Sequence, residues 1–135
     1  MCITEEIPGN VAKTINSIRE ICEKCSRSPD EITLVAATKM NDTERVRLAV
    51  KSGISCCGEN RVQELAAKYD ENAYVGADLH FIGRLQTNKV KQLIGKVSLI
   101  HSVDSEGLLK EISRQAAKTG IIQDVLIEVN IGGES

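Results

Sequence analysis

In this 135-residue chain, the residues able to do chemistry stand directly after apolar runs. Lys39 follows ITLVAAT (32–38), Gly58-Glu59-Asn60 follow a short run at 55–57, and Gly83-Arg84-Leu85-Gln86 follow LHFI (79–82). Ser102-Val103-Asp104 follow VSLIH (97–101), and Asn130 follows DVLIEV (124–129). A primary amine such as that of Lys39 condenses with an aldehyde once it is neutral. Loss of hydration at the mouth of a buried strand favours that neutral form. Asn60 and Asn130 can supply directed hydrogen bonds without adding charge. Asn60 also suits a helix N-cap, because an apolar stripe starts at Val62. His80 lies inside an apolar run and reads at least as well as a satisfied core histidine as it does a ligand. His101 stands just before Ser102, where an imidazole could stack on a ring or hydrogen-bond to it. Arg84, Lys89, Lys91 and Lys96 form a mildly basic stretch whose usual role is a solvated helix face.

The five cysteines are Cys2, Cys22, Cys25, Cys56 and Cys57. Their odd number, with no basic flank or apolar segment at the N-terminus to mark a secretory signal, argues against a disulfide framework. Cys22 and Cys25 make a C-x-x-C, yet no second pair and no nearby histidine complete a zinc set. They continue a helical stripe of Val11, Ile15 and Ile18. Core packing is therefore expected for both, and for Cys56-Cys57 in their strand.

The apolar runs that carry these residues are β-branched and nearly continuous, as expected of parallel strands covered on both faces. Helical stripes separate them: Val46, Ala49 and Val50; then Val62, Leu65, Ala66 and Tyr69; then Val90, Leu93 and Ile94; then Leu108, Leu109, Ile112 and Ala116. Gly53, Gly95 and Gly120 stand where three of these helices should close. Residues 72–78 read as a loop, and a leading helix is expected from Val11 to about Cys25. Strand starts recur every 20 to 25 residues or so, one βα unit each. Two α/β architectures fit: a doubly wound open sheet of five strands, or the opening of an eight-fold TIM-type (β/α) barrel. Length favours the first, and the stop directly after a fifth strand favours a barrel cut short. Both put ligand chemistry at the carboxyl ends of the strands.

Composition sets the outer bounds. At 41% apolar, 27% charged and net charge −2, the chain is expected to form one ordinary globular domain. It has no basic footprint for nucleic acid. No apolar run approaches the roughly 18 residues of a membrane span, so a cytoplasmic location is the default expectation.

The blocks LVAATK (34–39), GENRVQE (58–64), HFIGRLQTNK (80–89), HSVDS (101–105) and IEVNIGGE (127–134) together resemble the pyridoxal-phosphate homeostasis protein family. The match is collinear and runs from residue 11 over nearly the whole chain. The resemblance implies the barrel fold of the alanine racemase N-terminal domain, with residues 1–135 as a partial barrel domain lacking its C-terminal strands. It implies pyridoxal 5'-phosphate as cofactor, held as a Schiff base on Lys39, with Asn60, His80, Ser102 and Asn130 around it. It further implies cofactor storage or delivery rather than strong catalysis, with PLP-dependent apo-enzymes as partners, no nucleic acid or membrane, and a monomeric full-length form. The family continues past IGGE into a Ser/Gly-rich stretch and a Gly-containing loop that hold the cofactor phosphate. A chain without them is expected to expose sheet edges at its first and fifth strands, and so to self-associate. The alternatives are a racemase-like enzyme with Lys39 as base, and a receiver-like effector-binding module. The latter calls for acidic residues after the first strand, where Thr38-Lys39-Met40 stand instead.

Overall fold

The computed structural model describes residues 3–133, so Cys2 and the final glutamate of IEVNIGGE lie outside the described residues. Helix α1 (Ile3–Lys24) leads into β1 (Val35–Ala37), α2 (Thr43–Lys51), β2 (Cys56–Glu59) and α3 (Val62–Asp70). There follow β3 (Asp78–Phe81), α4 (Val90–Leu93), β4 (Leu99–Val103), α5 (Glu106–Thr119) and β5 (Asp124–Ile127). The expected alternation is present, with shifted boundaries. Pro8 and Gly9 look like helix breakers, yet α1 runs through them, with Ile7 and Val11 packed on the core. Cys22 is buried, but α1 ends at Lys24 and the backbone turns at Ser26 (φ 54°), leaving Cys25 exposed. The expectation of a core Cys25 is corrected. Cys56 and Cys57 are buried as expected, and burial pushes their thiols up to about 11 and about 12.

All strand pairs are parallel, and the spatial order is β1-β2-β3-β4-β5. A doubly wound sheet reverses its strand order at a switch point. This sheet has no reversal, so the doubly wound and receiver-like readings are excluded. Right-handed crossovers repeated in one direction put every helix on the same side of the sheet. A single apolar cluster accordingly joins Val11, Val46, Leu65, Val90, Leu93, Leu108 and Ile112 of the helices to Cys57, Leu79, Phe81, Ile100 and Val103 of the strands. Phe81, Leu65, Leu93 and Ile100 are fully buried there.

Successive strand residues alternate between faces. Ala37, His80, His101 and Leu126 therefore point away from the helices and are half-buried or exposed, whereas Cys56 and Gly58 on that same face are buried. The expectation that both faces are covered is met along β2, all of whose residues are buried, and is not met at β5, where Leu126 and Ile127 are exposed. Tyr69 and Leu109 also sit at the margin of their stripes, 39% and 38% exposed. Gly120 (φ 71°) closes α5 in the left-handed conformation that lacks a Cβ penalty.

Candidate functional site at the carboxyl ends of the strands

Lys39 follows β1 at the rim, and its side chain is exposed. The expectation that it loses hydration there is corrected: in this sheet water reaches the amine. Its backbone, by contrast, is gripped on both sides. The Thr38 carbonyl accepts a hydrogen bond from Lys68 Nζ at 2.8 Å, and the Met40 N–H donates to Glu64 Oε1 at 2.6 Å. Lys68 also pairs with Glu59 Oε1 at 2.8 Å and with Glu64 Oε1 at 2.7 Å. Glu59 Oε1 further accepts from the Thr38 hydroxyl (2.6 Å) and the Tyr74 hydroxyl (2.9 Å). Glu59 is completely buried and Lys68 only 6% exposed. Burial acts to raise the Glu64 carboxyl, but the hydrogen bonds from Lys68 and the Met40 N–H outweigh it and hold the group below its usual range. Burial, then the neighbouring Glu59 carboxylate, drives the Tyr74 hydroxyl far upward, so it stays a donor.

Asn60 begins the next strand end. It is not the N-cap: Arg61 occupies that position and makes no side-chain cap bond, because α3 starts only at Val62. The Asn60 side chain is thereby released, and its Oδ1 is buried without a partner. Buried polar atoms are ordinarily satisfied, so an orphaned acceptor at a strand mouth fits a ligand donor. Beside it the chain packs closely: a Cβ on Gly83 would lie 2.2 Å from the Asn60 carbonyl oxygen. Only glycine allows the β2 and β3 ends to approach so closely. Asn60 lines a groove of about 1020 Å³ together with Arg84, Gln86, Lys89 and Asp104.

Ser102 and Asn130 line a second hollow of about 1040 Å³, which shares Arg84 and Asp104 with the first. Ile100 and Val103 both face the core although they are three positions apart. The pairing with β5 is irregular between them, as in a bulge that re-aims a side chain. Ser102 is buried as a result, and its hydroxyl donates to the Gly83 carbonyl at 2.5 Å. Asn130 is exposed, and its Oδ1 accepts from the Gly133 N–H at 3.0 Å. His80 and His101 meet on the helix-free face, with His80 Nδ1 and His101 Nε2 3.0 Å apart. At that distance one nitrogen must donate and the other accept. Burial, then the neighbouring His101, holds His80 below the usual imidazole range, which favours a neutral His80 ring. Lys39 and His80 line neither hollow.

The sequence reading missed the Thr38–Glu59–Lys68–Tyr74–Glu64 network. It counted Glu59 among the polar strand-end residues, but register places Glu59 beside Phe81, facing the helices. A signal existed in Glu64 and Lys68, an i,i+4 pair of opposite charge on α3. Such pairs are ordinarily a surface feature, and only the tertiary fold, which brings Thr38 and Glu59 to Lys68, buries it here. Among the described residues no cluster of three or more metal-ligating side chains forms, and no helix is long and apolar enough to cross a membrane.

A parallel sheet in sequential order, with helices between its strands and polar residues gathered at its carboxyl edge, places the chain among α/β proteins. No protein-family model matches the chain. The pyridoxal phosphate homeostasis protein of Aquifex aeolicus is 46% identical over 124 residues, 92% of this chain and 54% of that protein. Its namesake from Escherichia coli K12 is 32% identical over 96% of this chain and 57% of its own length. Among solved structures, a protein of unknown function from Bifidobacterium adolescentis superposes with a TM-score of 0.87 and 34% identity, covering 98% of this chain and 58% of that one. PipY of Synechococcus elongatus, in a structure with PLP bound, superposes with a TM-score of 0.74 at 29% identity, over 87% of this chain and 56% of its own. The chain belongs to the pyridoxal phosphate homeostasis protein family. It spans just over half the length of these relatives.

Proposed function

We propose that this chain binds pyridoxal 5'-phosphate for cofactor homeostasis, as a carrier or buffer that serves PLP-dependent apo-enzymes, with Lys39 as the attachment residue. In this reading its five strands are part of a (β/α)8 barrel, and the helix-free face of the sheet is the barrel interior. The observation that carries the proposal is Lys39 itself. Its backbone is fixed on both sides while its amine makes no bond among the described residues, in a fold similar to one solved with PLP bound. The residues present fit the group. The unpartnered Asn60 Oδ1 can accept from a ligand donor, and the hydrogen-bonded His80–His101 pair can bond or stack on a ring.

The cofactor, when bound, supplies an electrophilic aldehyde for a primary amine. Lys39 Nζ acts on that aldehyde as the neutral amine, so a proton must leave it before the bond forms. Asn60 would orient the ring through its free acceptor, and Asn130 and Ser102 would border it from the far strands. The test is direct. After incubation with pyridoxal phosphate and reduction with borohydride, peptide mapping is expected to find the adduct on Lys39, and Lys39→Ala to remove it. Modification at other lysines only, or none, would overturn the proposal.

A further inference from the structure

The two peptide units that flank Lys39 are held by one pair of side chains on α3. Lys68 Nζ binds the carbonyl before Lys39, and Glu64 Oε1 takes the N–H after it, while the two bind each other at 2.7 Å. Between them they fix where the Lys39 backbone points. The turn needs such a grip, because Met40 sits at φ 62°, a left-handed conformation that a non-glycine residue adopts only at a cost. Met40 is itself 85% exposed, so its side chain contributes little packing to hold that turn. Lys68 is in turn fixed by Glu59, which the Thr38 and Tyr74 hydroxyls also hold. Glu59 and Lys68 are buried, and none of these groups bonds to the Lys39 side chain.

We propose that Glu64 and Lys68 are positioning residues that aim Lys39 at the cofactor aldehyde. This rests on Lys39 being the attachment residue. Holding a nucleophile's backbone in place lowers the cost of reaching the reacting geometry, and a small misplacement can slow bond formation by about a hundredfold.

Lys68→Met would strand the buried Glu59 carboxylate and risk unfolding, so Glu64 is the residue to change. Glu64→Ala removes the acceptor for the Met40 N–H, whereas Glu64→Gln keeps a carbonyl oxygen in its place. In borohydride trapping with pyridoxal phosphate, exposed Lys51 serves as an internal reference within the same molecule. The Lys39-to-Lys51 adduct ratio is expected to fall at least about tenfold in Glu64→Ala and to recover most of the way in Glu64→Gln. A merely structural role would lower the melting temperature without moving that ratio. An unchanged ratio in Glu64→Ala, or a Gln variant no better than the Ala variant, would overturn the inference alone. A wild-type chain that is not labelled at Lys39 would overturn the attachment reading, and this inference with it.

Discussion

The carboxyl ends of β1 and β5 begin from similar sequence, an apolar run followed by a polar residue, LVAATK in one case and LIEVN in the other. At β1, three side chains from α3 and β2 reach the turn, and every bond they make to it is 2.8 Å or shorter. At β5 the Glu128 N–H still joins the Val103 carbonyl, but Ile127, Val129 and Ile131 are 58%, 68% and 93% exposed. What separates the two ends is the layer beneath. Strand β1 is backed by α3 with a lysine and a glutamate aimed at its turn, and nothing described backs the end of β5. A polar residue at a strand end becomes a fixed functional group only where neighbouring elements spend side chains on its backbone.

The largest effect that could break this comparison is the loss of Lys68. Lys68→Met leaves Glu59 buried with no counter-charge, and removing one partner of a buried pair typically costs about 3–5 kcal/mol. Denaturant unfolding is expected to show a loss of that order. A cost below about 1 kcal/mol would mean that the β1 end is no better anchored than β5.

A pH series sharpens the same point. The Glu64 carboxyl is held below its ordinary value of 4.5, so its contribution to stability is present above that pH and lost as pH falls through the lower folded value. The stability gap between wild type and Glu64→Gln should therefore narrow on going from about pH 7 to about pH 3. A gap that stayed constant across this range would place the Glu64 interactions outside the titrating charge. The smallest effect belongs to β5: Val129→Ser is expected to change the unfolding free energy by less than about 0.5 kcal/mol. A larger loss would show that the exposed β5 end is packed in solution.

Much of the framework was legible before any coordinates. Strand and helix alternate because β-branched runs and 3.6-residue stripes carry their own periods, and the resemblance to the pyridoxal phosphate homeostasis proteins was readable from blocks such as GENRVQE. Lys39, Asn60, Ser102 and Asn130 do stand at strand ends. Other features were hidden for identifiable reasons. Asn60 looked like a cap, but the helix began one residue later than a cap at that position requires. Cys25 extended an apolar stripe, but the helix stopped before it. Glu59 looked like a rim residue, and strand alternation turned it inward.

By itself, the sequence determined the succession of βα units and the chemical types waiting at their ends, because both are local properties of the chain. Tertiary structure alone decided the strand order, how far each face of the sheet is covered, and the burial of Lys68 and Glu59. Those depend on pairings and packing between residues far apart in the chain, such as Lys68 with the Thr38 carbonyl and Tyr74 with Glu59. No local pattern encodes such distances. The same physics left Lys39 exposed: its hydration depends on what covers the helix-free face of the sheet, and the residues around it in sequence do not set that.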